Sequence, residues 1–160
     1  MKSRAVYPGS FDPTTYGHLD IIERSSEIFS ELTVAVIANP NKKALFSVAE
    51  RIEMLESSIK AKNVKVKSFD GLLVNFMKME KAAVIVRGLR AVTDFEYEFQ
   101  MALTNRKICQ EIETVFLAAD ERWTYVSSSL VKEIASLGGD VNSFVPPAVM
   151  EKISGKIKLK

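Results

Sequence analysis

One cysteine, Cys109, and one histidine, His18, are all that this chain of 160 residues holds of the two most reactive side-chain types. A single cysteine rules out a disulfide framework. The pair also falls short of a structural zinc site, which takes about four ligands of these kinds. Long apolar runs are missing as well. None approaches the ~18 residues of a membrane-spanning helix, and no apolar stretch of a leader peptide follows Lys2 and Arg4. A cytoplasmic location and no membrane partner are therefore expected. Charge of one sign is scarce too: 22 Lys and Arg stand against 20 Asp and Glu, for a net charge of +2. Without a basic block that balance argues against a nucleic-acid surface, and the locally basic tail from Lys152 to Lys160 reads as a solvated end. Three signatures are lacking: no G-x-x-x-x-G-K-[ST] loop, no G-x-G-x-x-G after the first strand, and no G-x-S-x-G elbow. A P-loop kinase or ATPase, a dinucleotide-binding dehydrogenase and a serine hydrolase are thereby set aside.

What is present is an ordinary globular composition, 47% hydrophobic and 26% charged, of a length that suits one domain over residues 1–160. Short apolar runs alternate with helical patterns. Strands are expected at Arg4–Tyr7, Leu32–Ala38, Val64–Phe69, Ala82–Val86 and Glu113–Ala118. Helices are expected at Gly17–Phe29, from a Ser47–Glu50 capping box to Ile59, at Leu72–Lys81, from a Thr93–Glu96 capping box to Cys109, at Ser129–Leu137 and after Pro146-Pro147. Asn39-Pro40-Asn41 breaks the second strand and Gly138-Gly139 stops the fifth helix. Five strands separated by helices predict an α/β fold: a single-domain, Rossmann-like, five-stranded parallel sheet with helices on both faces. In such sheets ligands bind beyond the carboxyl ends of the strands, near the point where strand order reverses.

Four loops fall at those ends: Pro8–His18, Asn39–Lys43, Arg87–Arg90 and Ala119–Ser129. In the first, Gly9 lets the backbone approach a ligand and Ser10 can donate from hydroxyl and amide. Gly17-His18 places the imidazole in a first helical turn, where free N–H groups and the helix dipole favour a phosphate. Lys42 and Lys43 alone read as solvated surface. Arg87-Gly88-Leu89-Arg90 suits bidentate phosphate contacts, or else ion pairs with Asp94, Glu96 or Glu98. The Ser127-Ser128-Ser129 run can cap a helix or hold β- and γ-phosphates.

The tract Arg4–Asp20, with Thr15-Tyr16-Gly17-His18 as its T/H-x-G-H motif, resembles the nucleotidylyltransferase superfamily. Two further tracts, Val86–Glu98 and Ser127–Glu133, carry a closer resemblance to the bacterial phosphopantetheine adenylyltransferase family. Ser10 and Val126 stand where some members have Thr and Ile, changes that preserve the chemistry. The resemblance implies transfer of AMP from ATP to 4′-phosphopantetheine, giving dephospho-CoA and pyrophosphate with Mg²⁺ assisting. It also implies a homohexamer and inhibition by CoA. His18 would be the transition-state stabiliser, with Lys42 and Arg90 offsetting charge. ATP would meet Ser10, Phe11, His18, Gly88, Leu89, Arg90, Glu98, Trp123, Thr124, Tyr125, Val126, Ser127, Ser128 and Ser129. The acceptor would meet Ser10, Lys42, Leu73 and Arg87, and no metal ligand from the protein is assigned. A nicotinamide mononucleotide adenylyltransferase, a cytidylyltransferase and a non-catalytic nucleotide-binding regulator are the competing readings.

Overall fold

The computed structural model describes residues 3–38 and 43–157. Five parallel strands form one sheet: β1 (Arg4–Gly9), β2 (Glu31–Ile37), β3 (Val64–Phe69), β4 (Val84–Leu89) and β5 (Glu113–Ala118). Their order is β3-β2-β1-β4-β5, so the chain reverses direction across the sheet between β1 and β4. The six α-helices are α1 (Tyr16–Ile28), α2 (Val48–Ser58), α3 (Leu73–Glu80), α4 (Val92–Ile108), α5 (Ser128–Ser136) and α6 (Pro147–Lys156). A short 3₁₀ turn, Glu121–Trp123, precedes α5.

Strand alternation sorts side chains between two faces. Ala5, Tyr7, Val34, Val36 and Val86 join Ile21 and Ile22 of α1 and Leu55 of α2 in one apolar cluster. Val6, Ala35 and Ile85 point the other way, against Val74, Phe76 and Met77 of α3. Near-complete burial of each such Ile, Leu or Phe contributes about 1.5–3 kcal/mol. This explains the continuous apolar runs of the inner strands. By contrast, β3 is an edge strand, and its two lysines face outward to Glu31 and Glu80 at 2.8 and 2.7 Å. A third cluster joins Phe46 and Met54 to Val131 and Ala135 of α5 and to Val149 and Ile153 of α6.

Two expectations are corrected. The helix after β4 starts at Val92 rather than inside a Thr93–Glu96 capping box: its N-cap is Ala91, without a side-chain cap. Asp94 instead reaches back to Arg90, a favourable place for a carboxylate beside the helix N-terminus. The fourth strand also runs on through Leu89, so Arg87 and Gly88 belong to the sheet. Their strand neighbours are Phe116 and Leu117.

The crevice arises from a missing stretch of ladder. β1 and β2 pair over six positions, Arg4 to Gly9. β1 and β4 pair only at Ala5↔Val84 and Val6↔Ile85. Beyond those pairs the two central strands separate at their carboxyl ends, and Arg87 Nη1 bridges the gap by donating to the Pro8 carbonyl at 2.7 Å.

Candidate active site

At this opening lies a cleft of about 310 Å³, within the range usual for small-molecule sites. It is lined from β1 and its loop by Tyr7 to Phe11, from α1 by Gly17 and His18, from β4 and α4 by Arg87, Gly88, Arg90, Asp94 and Glu98, and from the last loop by Trp123 and Val126 to Ser129. A larger groove of about 780 Å³ runs between α1, the end of α2 and the start of α6, sharing Trp123 with the cleft. The catalytic-type side chains converge on the smaller one.

His18 is held by its own helix start. The Thr15 backbone N–H donates to His18 Nδ1 at 3.0 Å, and Thr15 Oγ1 lies 3.1 Å from the same nitrogen. The imidazole thus takes the place a Glu or Gln occupies in a capping box. A backbone amide can only donate, so Nδ1 accepts and the proton of the neutral ring sits on Nε2. Burial, with the positive charges of Arg90 and Arg87 behind it, pushes the imidazole pKa down to about 4. Nε2–H is therefore a fixed, neutral donor at physiological pH. The edge of the ring meets Phe11, whose centroid is 5.0 Å away. Phe11 is itself buried at a positive φ of 48°, and its ring packs against the imidazole at the lining of the cleft.

Gly9 and Gly88 are glycine for packing reasons. A Cβ at Gly9 would sit 2.9 Å from the Phe11 ring, and one at Gly88 would sit 3.0 Å from Ile21 Cγ1. Gly9 thus makes room for Phe11 while lining the cleft, and Gly88 lets α1 bring His18 close to β4.

The two arginines form the ion pairs that their motif allowed, with Glu98 and Asp94. Arg87 is held by Glu98, through Nε at 2.6 Å and through Nη2. Arg90 pairs with Asp94 through Nε at 3.1 Å and Nη2 at 3.3 Å, and its Nη1 donates to the Val126 carbonyl at 3.2 Å. They are ion-paired, yet both line the cleft. The carboxylates fix the direction of each guanidinium fork. Glu98 is anchored to a cation in this way, and that is the contact it makes here. Tyr7, buried beneath them, has its phenol pushed up to about 12 by that burial.

The serine run serves both ends of its loop. Ser127 caps α5 by accepting from Leu130 N at 3.1 Å, and Ser128 Oγ donates to the Pro13 carbonyl at 2.7 Å. Leu73, Leu89, Thr124 and Tyr125 fall outside the lining of the cleft. Leu73 packs against the α3 cluster, and Tyr125 is 62% exposed, edge-on to Phe144. Lys42 lies outside the described residues.

The sequence left Asp12 as turn chemistry, but it is the anchor of the first loop. Its carboxylate accepts from Leu45 N, Phe46 N and Lys132 Nζ at 3.0, 2.9 and 2.9 Å. Burial works to raise its pKa, but the hydrogen bond from Lys132 and those from the two amides carry it below the usual carboxylate range. Lys132 on α5 carries no role in the sequence reading either, because its partner Asp12 is 120 positions away; Thr15, part of the T/H-x-G-H motif, holds His18 through its backbone N–H.

A neutral imidazole donor, two oriented guanidinium groups and a hydroxyl-rich helix start, all at the switch point of a parallel sheet, define a nucleotidyltransferase. Comparison with known proteins agrees: the cytidylyltransferase-like family model matches residues 6–134. The phosphopantetheine adenylyltransferase of Heliobacterium modesticaldum is 56% identical over 153 residues, covering 95% of this chain and 91% of its own. That of Caldanaerobacter subterraneus subsp. tengcongensis is 54% identical over 155 residues, covering 96% and 97%. The chain belongs to the phosphopantetheine adenylyltransferase family. Among solved structures, a Plasmodium falciparum nicotinic acid mononucleotide adenylyltransferase complexed with NaAD superposes with a TM-score of 0.74. It covers 100% of this chain and 99% of its own at 16% identity, a likeness of fold.

Proposed function

We propose that this protein transfers AMP from ATP to 4′-phosphopantetheine, releasing pyrophosphate and forming dephospho-CoA. The observation that carries the mechanism is the pinned tautomer of His18, with Nε2–H free in a cleft walled by two arginines. The attacking group is a phosphate monoester oxygen, already anionic because its second pKa is about 6. No general base is needed. A bond forms from that oxygen to the α-phosphorus as the bond to the β-phosphate oxygen breaks, and pyrophosphate leaves in line with its electron pair.

Catalysis then consists of positioning and charge stabilisation. His18 Nε2–H donates to the α-phosphoryl oxygen as negative charge moves across it. Arg87, aimed by Glu98, holds the acceptor phosphate with Ser10, and Lys42 is assigned to the same task. Arg90 offsets charge on the donor phosphates. Gly88, Leu89 and the segment Trp123 to Ser129 are assigned to ATP, with the Ser128 and Ser129 amides at the N-terminus of α5 receiving the departing pyrophosphate.

Among the described residues no cluster of three or more His, Cys, Asp or Glu side chains is placed to hold a metal, and the two cleft carboxylates, Asp94 and Glu98, are engaged by arginines. These residues do not fit a resident metal site. The Mg²⁺ of the reaction is accordingly assigned to the incoming nucleotide, as part of the substrate.

Assembly into a homohexamer is part of the same reading. Its support is α4, on which Phe95, Tyr97, Phe99, Met101 and Leu103 are all exposed, an apolar surface unusual for a lone subunit. CoA is proposed as an end-product inhibitor. A cytoplasmic location is proposed as well, and among the described residues no helix is long and apolar enough to cross a membrane.

The deciding experiment supplies ATP with 4′-phosphopantetheine, nicotinamide mononucleotide or a phosphocholine-type acceptor, and measures pyrophosphate together with the adenylylated product. Turnover confined to 4′-phosphopantetheine is expected. Turnover of another acceptor alone, or nucleotide binding without turnover, would overturn the assignment.

A further inference from the structure

Arg51, on α2 and outside the residues assigned so far, is a buried cation, 5% exposed. Its partners are main-chain carbonyls: Nη1 donates to Ser10 O at 2.8 Å and to Ile37 O at 3.1 Å, and Nε to Ser47 O at 3.4 Å. The placement of the first two is informative. The β1–β2 ladder ends at Gly9↔Val36, so Ser10 and Ile37 are the next residues along each strand, where the sheet stops holding them together. One guanidinium nitrogen continues the connection by taking both carbonyls. Burying a cation is expensive unless its donors are satisfied. A planar fork reaching divergent carbonyls meets that need where an ammonium group does not.

The second tie between the same regions is Asp12, which accepts from Leu45 N and Phe46 N. The chain leaving β2 at Ile37 and the chain entering α2 at Leu45 are thus both fastened to the loop after β1, the first through Arg51 and the second through Asp12. That loop carries Ser10, which lines the cleft.

We infer that Arg51 is a positioning residue for the acceptor side of the site. It fixes Ser10 and the loop after β1 against the end of β2, so that Ser10 meets the acceptor phosphate in a single geometry. The inference rests on the acceptor reading given above. Arg51 makes no described contact with the donor side formed by Arg90 and the serine loop.

The test is steady-state kinetics of Arg51→Lys with 4′-phosphopantetheine and ATP varied separately, beside wild type and Leu55→Val. The latter is a core change on the same helix that loosens packing without touching either carbonyl. Because a misplacement of about 1 Å can cost on the order of 10²-fold, partial loosening is expected to raise the acceptor KM about ten-fold. The ATP KM should stay within about two-fold, and kcat should fall less than the acceptor KM rises. Arg51→Gln should show the same split, which keeps the test open if the lysine variant does not fold. An acceptor KM unchanged in both variants, an ATP KM that rises in step, or Leu55→Val reproducing the split would each overturn the positioning role. Wild type failing to turn over 4′-phosphopantetheine would instead overturn the acceptor reading itself, and the inference with it.

Discussion

Replacing His18 by alanine removes one observed contact, at Nδ1, and the donor proposed at Nε2, and the two consequences separate cleanly. The Nδ1 side is structural: losing the bond from Thr15 N costs about 1 kcal/mol of stability, a Tm decrease of roughly 2–4 °C for a domain of this size. The Nε2 side carries the proposed catalytic role. Loss of one preorganised donor to a developing oxyanion costs about 3–4 kcal/mol, or 10²–10³ in kcat. With its pKa pushed down to about 4 by burial and by Arg90 and Arg87, the ring is charged in only about one molecule per thousand at pH 7. It donates as a neutral group, so the loss should fall at the lower end, about 10²-fold in kcat. The assay is pyrophosphate release at saturating ATP and 4′-phosphopantetheine from pH 5 to 9, with melting curves alongside. Wild type should show an acid limb near pH 6 from the acceptor's own phosphate, whose second pKa is about 6, and His18→Ala should keep that limb at a lower plateau. A variant within about five-fold of wild type, or one that loses the limb, would refute the neutral-donor role.

Three further outcomes follow from the same geometry. Because the folded His18 pKa is about 4 against 6.5 for the free group, stability is fully present above pH 6.5 and is lost as pH falls toward 4. The loss reaches about 3 kcal/mol, and urea denaturation of His18→Gln should lack this component. Gly88→Ala puts a Cβ 3.0 Å from Ile21 Cγ1, so the Ile21 side chain on α1 must give by a few tenths of an ångström; a stability loss of about 1–3 kcal/mol and a reduced kcat are expected, and unchanged kinetics would contradict the close-approach account. Glu98→Gln removes the anion that aims Arg87, costing about 1.5–3 kcal/mol in chemical denaturation and raising the acceptor KM, whereas an isolated rise in the ATP KM would assign Glu98 to the nucleotide instead.

The fold class was legible because each strand carries its burial in its own composition. The inner strands β1, β2 and β4 each carry an apolar run, Ala5–Tyr7, Val34–Ile37 and Val84–Val86, and β3 shows its exposed face in Lys65 and Lys67. Boundaries were less legible where a tertiary contact extends an element. Arg87 and Gly88 read as loop residues, yet β5 pairs with them. The Thr93–Glu96 motif matched a capping pattern, yet Asp94 is drawn back to Arg90 and the helix begins earlier. At the site, His18 and the arginines announce themselves by charge and by their Gly neighbours. Asp12, Arg51 and Lys132 do not. Each acts on groups about 30 to 120 positions away, and no local spacing encodes a partner so remote.

Trp123 is the only tryptophan in the chain. It stacks on Tyr16 with ring centroids 5.2 Å apart, at the rim of the cleft. The protein therefore carries an intrinsic optical reporter at the mouth of its own site. Any nucleotide that settles against the 3₁₀ turn changes the polarity around that indole, and with no second indole to dilute the signal, occupancy can be followed by emission alone, without label or coupled enzyme. Fast mixing would then separate ligand arrival from the bond-making step in native material.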